Sequence, residues 1–183
     1  MKHDLERTAL LVIDVQRGLD APRLGRRNNA ECEANVAALI GAWRAAGRPV
    51  VFVRHDSARP DSPLRPGQPG NDFKPVVAGE PDLLVSKHTN SAFFGTPDLN
   101  AWLQKRGVTG VAIAGIQTNY CCEATARMAG DLGYDTLFVL DATHTFDLRA
   151  HGGGILSAEE LARVTASNLQ DEFADVVMTA DLL

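Results

Sequence analysis

The 183-residue sequence has few cysteines, no block of positive charge and no long apolar run. Its three cysteines include two adjacent ones, which is a poor basis for a disulfide framework and favours a reducing compartment. The net charge is −5 and no basic block is longer than a pair such as Arg26–Arg27, so a nucleic-acid-binding surface is not expected. No apolar run approaches the roughly 18 residues that span a bilayer, and the charged N-terminus carries no cleavage-site pattern. We therefore expect a cytoplasmic protein that binds neither nucleic acid nor membrane.

The composition is that of an ordinary globular protein. Apolar residues make up 45 % of the chain and charged residues 22 %, close to the globular average. A chain of this length can bury a core of two or three layers without disulfides or metals. Since no internal repeat, low-complexity tract or interdomain linker divides it, we predict one domain over residues 1–183.

Short apolar runs that are continuous rather than alternating are the clearest structural signal. They span residues 9–15, 50–53, 83–85, 111–116, 136–140 and 176–178. Such runs are typical of strands buried on both faces, which belong mainly to parallel sheets covered by helices. Because helical patterns separate most of them, we predict an α/β fold with a three-layer, doubly wound sheet and right-handed crossovers.

Four helices are predicted, over residues 31–46, 97–106, 120–132 and 158–173. Thr96 followed by Pro97 has the pattern of a cap and a first helical residue. Ser157 and Glu160 have the spacing of a capping box at the start of the fourth helix.

Two segments interrupt the alternation of strands and helices. The proline-rich residues 57–81 are predicted to form a long loop, and residues 143–156, with a run of three glycines, a flexible one.

Reactive side chains stand where the predicted strands end. In the order of the chain, they are Asp14 and Gln16, His55 and Asp56, Lys87 and His88, the segment 117–121, and Asp141 and His144. Ligands of open parallel sheets bind at the carboxyl ends of the strands, so these groups are candidates for one site.

Each candidate also has a purely structural interpretation. Asp14 could bond a loop amide, Lys87 could be an ordinary surface lysine, and a cysteine is often a small core residue. Of the adjacent Cys121 and Cys122, only one can face a site, because successive helical residues point in different directions. A carboxylate, an ammonium and a thiol at the start of a helix can together form a nucleophilic site. The helix dipole and Lys87 are expected to lower the pKa of Cys121, with Cys122 in the core.

Three segments resemble those of the isochorismatase-like cysteine hydrolases, a family that includes nicotinamidases, carbamoylsarcosine amidases and ureidoacrylate amidohydrolases. They are Ala-Leu-Leu-Val-Ile-Asp-Val-Gln at 9–16, Val-Ser-Lys at 85–87, and Ala-Gly-Ile-Gln-Thr-Asn-Tyr-Cys-Cys-Glu-Ala-Thr at 114–125. The resemblance implies a six-stranded parallel sheet of Rossmann-like order and a catalytic triad of Asp14, Lys87 and Cys121. It also implies a cis peptide between Ile116 and Gln117, with the backbone N–H groups of Gln117 and Cys121 as an oxyanion hole.

The same resemblance bears on metal and substrate. Metal-dependent nicotinamidases carry Asp-x-His and further histidines after the second strand, whereas this chain has His55–Asp56 and no other histidine before His88. We therefore expect neither a metal nor another cofactor. The thiol of Cys121 favours a small amide, carbamoyl or ureido substrate, cleaved at a C–N bond through a thioester.

Alternatives remain open at this point. The chain could be an isochorismatase-type vinyl-ether hydrolase or a non-catalytic binding protein on the same fold. A nucleotide-binding protein is disfavoured, because neither G-x-G-x-x-G nor a P-loop occurs. Family resemblance suggests a homodimer or larger homo-oligomer. The predicted walls of the substrate pocket are Gln16, His55, Phe94, Tyr120 and His144.

Overall fold

The structure, a computed structural model that describes residues 3–183, contains one six-stranded sheet. Its strands are β1 (Thr8–Ile13), β2 (Val50–His55), β3 (Leu83–Lys87), β4 (Gly110–Ile116), β5 (Asp135–His144) and β8 (Asp175–Val177). Two short strands, β6 (Leu148–Arg149) and β7 (Ile155–Leu156), lie between β5 and β8 in the chain and form a separate pair. The order across the sheet is β3-β2-β1-β4-β5-β8, and every pairing is parallel. The predicted α/β sheet of about six mainly parallel strands is confirmed.

Four α-helices accompany the sheet: α1 (Cys32–Ala45), α2 (Leu99–Lys105), α3 (Glu123–Asp131) and α4 (Ala158–Leu169). α4 begins with the predicted capping box, in which the Glu160 N–H donates to Ser157 Oγ at 3.2 Å and the Ser157 N–H to Glu160 Oε2 at 2.8 Å. Within residues 3–183, no helix combines the length and the apolar character that crossing a membrane requires.

The start of α2 differs from the prediction. Thr96–Pro97 is a cis peptide, and the helix begins two residues later than expected from the Thr-Pro pattern. Its cap is Asp98, whose Oδ1 accepts a hydrogen bond from the N–H of Ala101 at 2.9 Å. A side-chain carboxylate can satisfy that otherwise free N–H group directly, so Asp98 takes the capping role.

Helices cover both faces of the sheet, which explains why its strands are continuously apolar. In β1, Leu10 and Val12 pack in the core on the α1 side, together with Trp43. Leu11 and Ile13 point to the opposite core, which α2, α3 and α4 complete. Alternate residues of each strand are therefore buried on opposite faces of the sheet.

The two predicted loops differ in outcome. Residues 57–81 contain no α-helix or strand and only one short 3₁₀ turn, Pro69–Asn71. Residues 143–156 are more regular than predicted, because β5 continues through His144 and β6 and β7 form an antiparallel hairpin. Leu148 pairs with Leu156 in this hairpin, and the three glycines at its tip all have positive φ, so they form the tight turn.

The strand order reverses between β1 and β4, because β2 and β3 lie on one side of β1 whereas β4 and β5 lie on the other. The following connections diverge there and leave a crevice at the carboxyl ends of the strands. Asp14 follows β1 directly, His55 and Lys87 end β2 and β3, and Cys121 lies just after β4. The topology therefore gathers these four residues at one edge of the sheet.

Candidate active site

A cavity of about 580 Å³ opens at this edge, a size typical of small-molecule sites. Four stretches of chain line it: Asp14 and Leu19; His55, Ser57, Ala58, Arg59, Ser62 and Leu64; His88 and Asn90; and Ile116, Gln117, Tyr120 and Cys121. Its floor holds the reactive groups described below, and the loop after β2 forms much of its wall.

Asp14 has an unusual backbone conformation that turns the chain sharply at the end of β1. Its φ is +51°, in the left-handed region, which costs a residue other than glycine about 1–2 kcal/mol. Hydrogen bonds hold it there: its N–H donates to the Val53 carbonyl at 2.9 Å, and its carbonyl accepts from the Gln16 N–H at 2.8 Å. The carboxylate is buried at the floor of the cavity.

Lys87 is completely buried, with four acceptors around its ammonium nitrogen. Nζ lies 2.6 Å from Asp14 Oδ2, 3.1 Å from His55 Nδ1, 3.1 Å from the Thr89 carbonyl oxygen and 3.2 Å from Cys121 Sγ. Burial lowers the pKa of Lys87, but the negative charge of Asp14 outweighs this, so the pKa is raised and the ammonium is charged at neutral pH. Since an ammonium has only three protons, its four acceptors compete.

Cys121 lies in the π-helical turn Thr118–Cys122, which precedes α3. The Ile116–Gln117 peptide before this turn is cis, as the resemblance implied. A carboxylate oxygen of Asp14, a ring nitrogen of His55 and Cys121 Sγ all lie within 4.8 Å of one another. Cys121 lines the cavity and is 9 % exposed, whereas Cys122 is fully buried in the core on the α3 side.

The lowered pKa expected for Cys121 is wrong. Burial raises the pKa of this thiol, the charge of Asp14 raises it further, and Lys87 opposes both without reversing them. Because Lys87 is already neutralised by Asp14, a thiolate would add an unpaired charge to a buried site. The thiol is therefore protonated in the resting site.

One acceptor at the site is unoccupied. Asp14 Oδ2 accepts from Lys87, but Oδ1 is buried and has no hydrogen-bond partner among the described residues. A buried carboxylate oxygen without a donor is costly, and groups of this kind concentrate at functional sites. Oδ1 is thus available to take a proton from a neighbouring group.

Hydrogen bonds define the tautomers of two histidines in the cavity. Burial and the charge of Lys87 lower the pKa of His55, so its ring is neutral and Nδ1 accepts from the ammonium. The proton of His55 is therefore on Nε2. His88 Nδ1 bonds the carbonyl oxygen of Asp56, which can only accept, so a neutral His88 carries its proton on Nδ1 and a lone pair on Nε2.

Of the five predicted pocket residues, His55 and Tyr120 line the cavity and the other three do not. Gln16 is fully buried and clamps the backbone of His55: its Nε2 donates to the His55 carbonyl at 3.1 Å and its Oε1 accepts from the His55 N–H at 2.8 Å. Phe94 points into solvent and is 66 % exposed. These two predictions of pocket position are corrected, because one side chain turns to the backbone and the other away from the crevice.

His144, the third, is the last residue of β5 and is buried in a network of charged groups. Its Nε2 lies 3.0 Å from Arg27 Nη1, and Arg27 and Lys74 both bind Glu33. Burial and Arg27 lower its pKa to about 3, so the ring is neutral. His144 therefore supports the sheet behind the site and does not form its wall.

Sequence reasoning missed several lining residues. Asn90 Oδ1 is 3.9 Å from Cys121 Sγ, close enough for a weak hydrogen bond from the thiol. Ser57, Arg59 and Ser62 come from the proline-rich loop, whose course no periodicity could reveal. The only available signal was the position of that loop directly after a strand that ends at the site.

Asp14, His55 and Cys121 offer donor atoms of the kinds that bind transition metals. However, the Lys87 ammonium lies within 3.2 Å of an atom of each of them. A cation bound by the three would be in direct contact with this positive charge, so the residues do not fit a metal.

Comparison with known proteins agrees with this geometry. Residues 8–169 match the family model of the isochorismatase domain. An isochorismatase-family protein from Chromobacterium violaceum superposes with a TM-score of 0.94 and is 40 % identical, with coverage of 100 % of this chain and 94 % of that chain.

Two further proteins carry more specific descriptions. Nicotinamidase 3 from Arabidopsis thaliana is 34 % identical over 92 % of this chain and 83 % of its own length. A cysteine hydrolase from Pseudomonas syringae superposes with a TM-score of 0.88 and is 27 % identical, with coverage of 100 % of this chain and 93 % of that chain.

Proposed function

The chain belongs to the isochorismatase family of hydrolases, and from this premise we propose that it cleaves a C–N bond in a small amide, carbamoyl or ureido compound. The cleavage is cysteine-dependent and passes through a thioester. Similarity to a nicotinamidase and to a cysteine hydrolase is compatible with this chemistry.

The convergence of Asp14, Lys87 and Cys121 carries the proposal. The Lys87 ammonium lies 2.6 Å from the carboxylate and 3.2 Å from the sulfur, and the sulfur borders the cavity. A thiol beside a base that has a free oxygen is the arrangement that nucleophilic catalysis requires. Neither a vinyl-ether hydrolase nor a binding protein needs a thiol at this position.

In the first half-reaction, the proton of the Cys121 thiol passes to Asp14 as the sulfur attacks the carbonyl carbon. Lys87 stabilises the sulfur while its charge is negative, and the oxyanion binds the backbone N–H groups of Gln117 and Cys121. The C–N bond then breaks, and Asp14 returns the proton to the leaving nitrogen. The products are an amine or ammonia and a thioester on Cys121.

In the second half-reaction, Asp14 takes a proton from a water molecule, which attacks the thioester. The C–S bond breaks, the sulfur regains the proton from Asp14, and the acid is released. Because the resting thiol is protonated, each half-reaction begins with a proton transfer to the same carboxylate. Activity therefore depends on Asp14 being ionised.

Ammonia release from a panel of amides, carbamoyl compounds and ureides tests the proposal. We expect turnover by the wild type and none by Cys121→Ala, with an acyl adduct on Cys121 in acid-quenched samples analysed by mass spectrometry. Cys122→Ala is the matched control and should retain turnover within about tenfold, because Cys122 does not border the cavity.

Other outcomes would reject the proposal in distinct ways. Hydrolysis that persists in Cys121→Ala would exclude the thioester and favour acid catalysis by Asp14, as for a vinyl ether. Binding of panel compounds without ammonia release or adduct would favour a non-catalytic binding protein.

A further inference from the structure

One charged residue that the proposed mechanism does not use, Arg59, is exposed and lines the cavity. Arg59 lines the same cavity as Cys121 and lies in the loop after β2. Among residues 3–183 its guanidinium has no hydrogen bond or ion pair, unlike the guanidinium of nearby Arg54, which binds Asp56. An arginine presents five donors in a planar fork that matches a carboxylate.

The remaining charges of the cavity cancel. Asp14 is the one acidic residue among the described residues of the lining, and Lys87 neutralises it at 2.6 Å. His55 is neutral, as its hydrogen bond to Lys87 and its burial require. The exposed Arg59 therefore gives the cavity lining an unpaired positive charge, although the chain as a whole has a net charge of −5. A cavity of this sign favours an anionic ligand.

The backbone around Arg59 is fixed, although this segment is irregular. The Arg59 N–H donates to Ser57 Oγ at 3.3 Å, and the Arg59 carbonyl accepts from the Ser62 N–H at 3.2 Å. The Ser57 N–H closes the loop by donating to the Leu64 carbonyl at 3.0 Å, and Asn71 Nδ2 binds the same carbonyl. Arg59 therefore projects from a cross-braced loop against which a ligand can be held.

We propose that Arg59 binds a carboxylate of the substrate, so that the preferred substrates are amides or ureides with an anionic group remote from the scissile bond. This inference rests on the proposed function, because it assigns the substrate class of the same site. Arg59 is then a specificity-determining residue: it distinguishes anionic substrates from neutral ones and takes no part in bond cleavage.

Succinamate and succinamide are a matched pair of probes, because they share a skeleton and differ in one terminal carboxylate. We expect wild-type kcat/KM to be higher for succinamate. Arg59→Gln should reduce that value by about 10- to 100-fold, the range for loss of one partly screened ion pair, and leave succinamide nearly unchanged. Arg65→Gln is the control: it removes a charge from the same loop outside the cavity lining and should affect neither probe.

Calorimetric binding to Cys121→Ala separates this inference from the proposed function. Failure of the wild type to hydrolyse either probe would count against the proposed hydrolysis. Succinamate binding to Cys121→Ala that is lost in Cys121→Ala/Arg59→Gln would still support carboxylate binding by Arg59. The inference is overturned if neither hydrolysis nor binding favours succinamate over succinamide. It is also overturned if Arg59→Gln weakens both probes equally.

Discussion

Replacing Lys87 by methionine removes the ammonium while keeping a long, unbranched side chain. In the wild type, Lys87 is 0 % exposed and Asp14 is 2 % exposed, with their charged atoms 2.6 Å apart. The variant leaves the Asp14 carboxylate buried without its counter-charge, and breaking a buried pair in this way costs about 3–5 kcal/mol. That is a large share of the stability of a typical domain, about 5–15 kcal/mol. We therefore expect a fall in melting temperature of about 10 °C for a chain of this size.

Urea denaturation at pH 7 of the wild type, Lys87→Met, Asp14→Asn and the double variant measures this cost and its origin. The double variant should be less destabilised than the sum of the single ones, because it removes both charges together. Lys105→Met is the control, since Lys105 is exposed in the last turn of α2 and its loss should cost less than about 0.5 kcal/mol. Simple additivity in the cycle, or a Lys87→Met variant as stable as the control, would refute a coupled buried pair.

Three further predictions concern neighbouring groups. His55→Leu should reduce kcat by about tenfold or more, because the Lys87 ammonium loses an acceptor that holds it in place. His55→Gln has a side-chain carbonyl that can accept and should retain most of the wild-type kcat, so an equal loss in both variants would contradict this role. Folding lowers the pKa of His144 from 6.5 to about 3, so the stability gained by burying the neutral ring is present above pH 6.5 and is lost at about 1.4 kcal/mol per pH unit as the pH falls towards 3. His144→Leu should therefore reduce the pH dependence of the urea midpoint between pH 6.5 and 5, and an unchanged pH dependence would contradict this assignment. Because Lys87 already provides the positive charge at the site, activity should persist in EDTA, and loss that zinc or iron reverses would show the opposite.

The strands and the meeting of three reactive groups were predictable for a simple geometric reason. Continuous apolar runs identify strands covered on both faces, and the carboxyl ends of parallel strands share one edge. Asp14, Lys87 and Cys121 each follow or end such a run, so their proximity needed no knowledge of loops.

Side-chain direction and electrostatics were not predictable in the same way. Gln16 faces the backbone of His55, and His144 faces Arg27, because partners from distant parts of the sequence accept or donate there. The pKa of Cys121 was misjudged because the helix dipole and Lys87 are visible in the sequence, whereas burial beside an already paired carboxylate is not. Arg59 was missed because its loop has no periodic pattern.

The long sequence separations within the site have a consequence for folding. Asp14 and Lys87 are 73 residues apart, and Lys87 and Cys121 are 34 apart, so no short fragment contains the nucleophile, the base and the cation. Contacts of this kind form only after long stretches of chain have been brought together, which slows folding. During refolding, the circular dichroism signal of helices can return early, since α1 and α4 are local structures. Recovery of catalysis after dilution from denaturant should instead follow the pairing of β1 with β2 and β4 and of β2 with β3. Enzymatic activity therefore reports when the central sheet is complete.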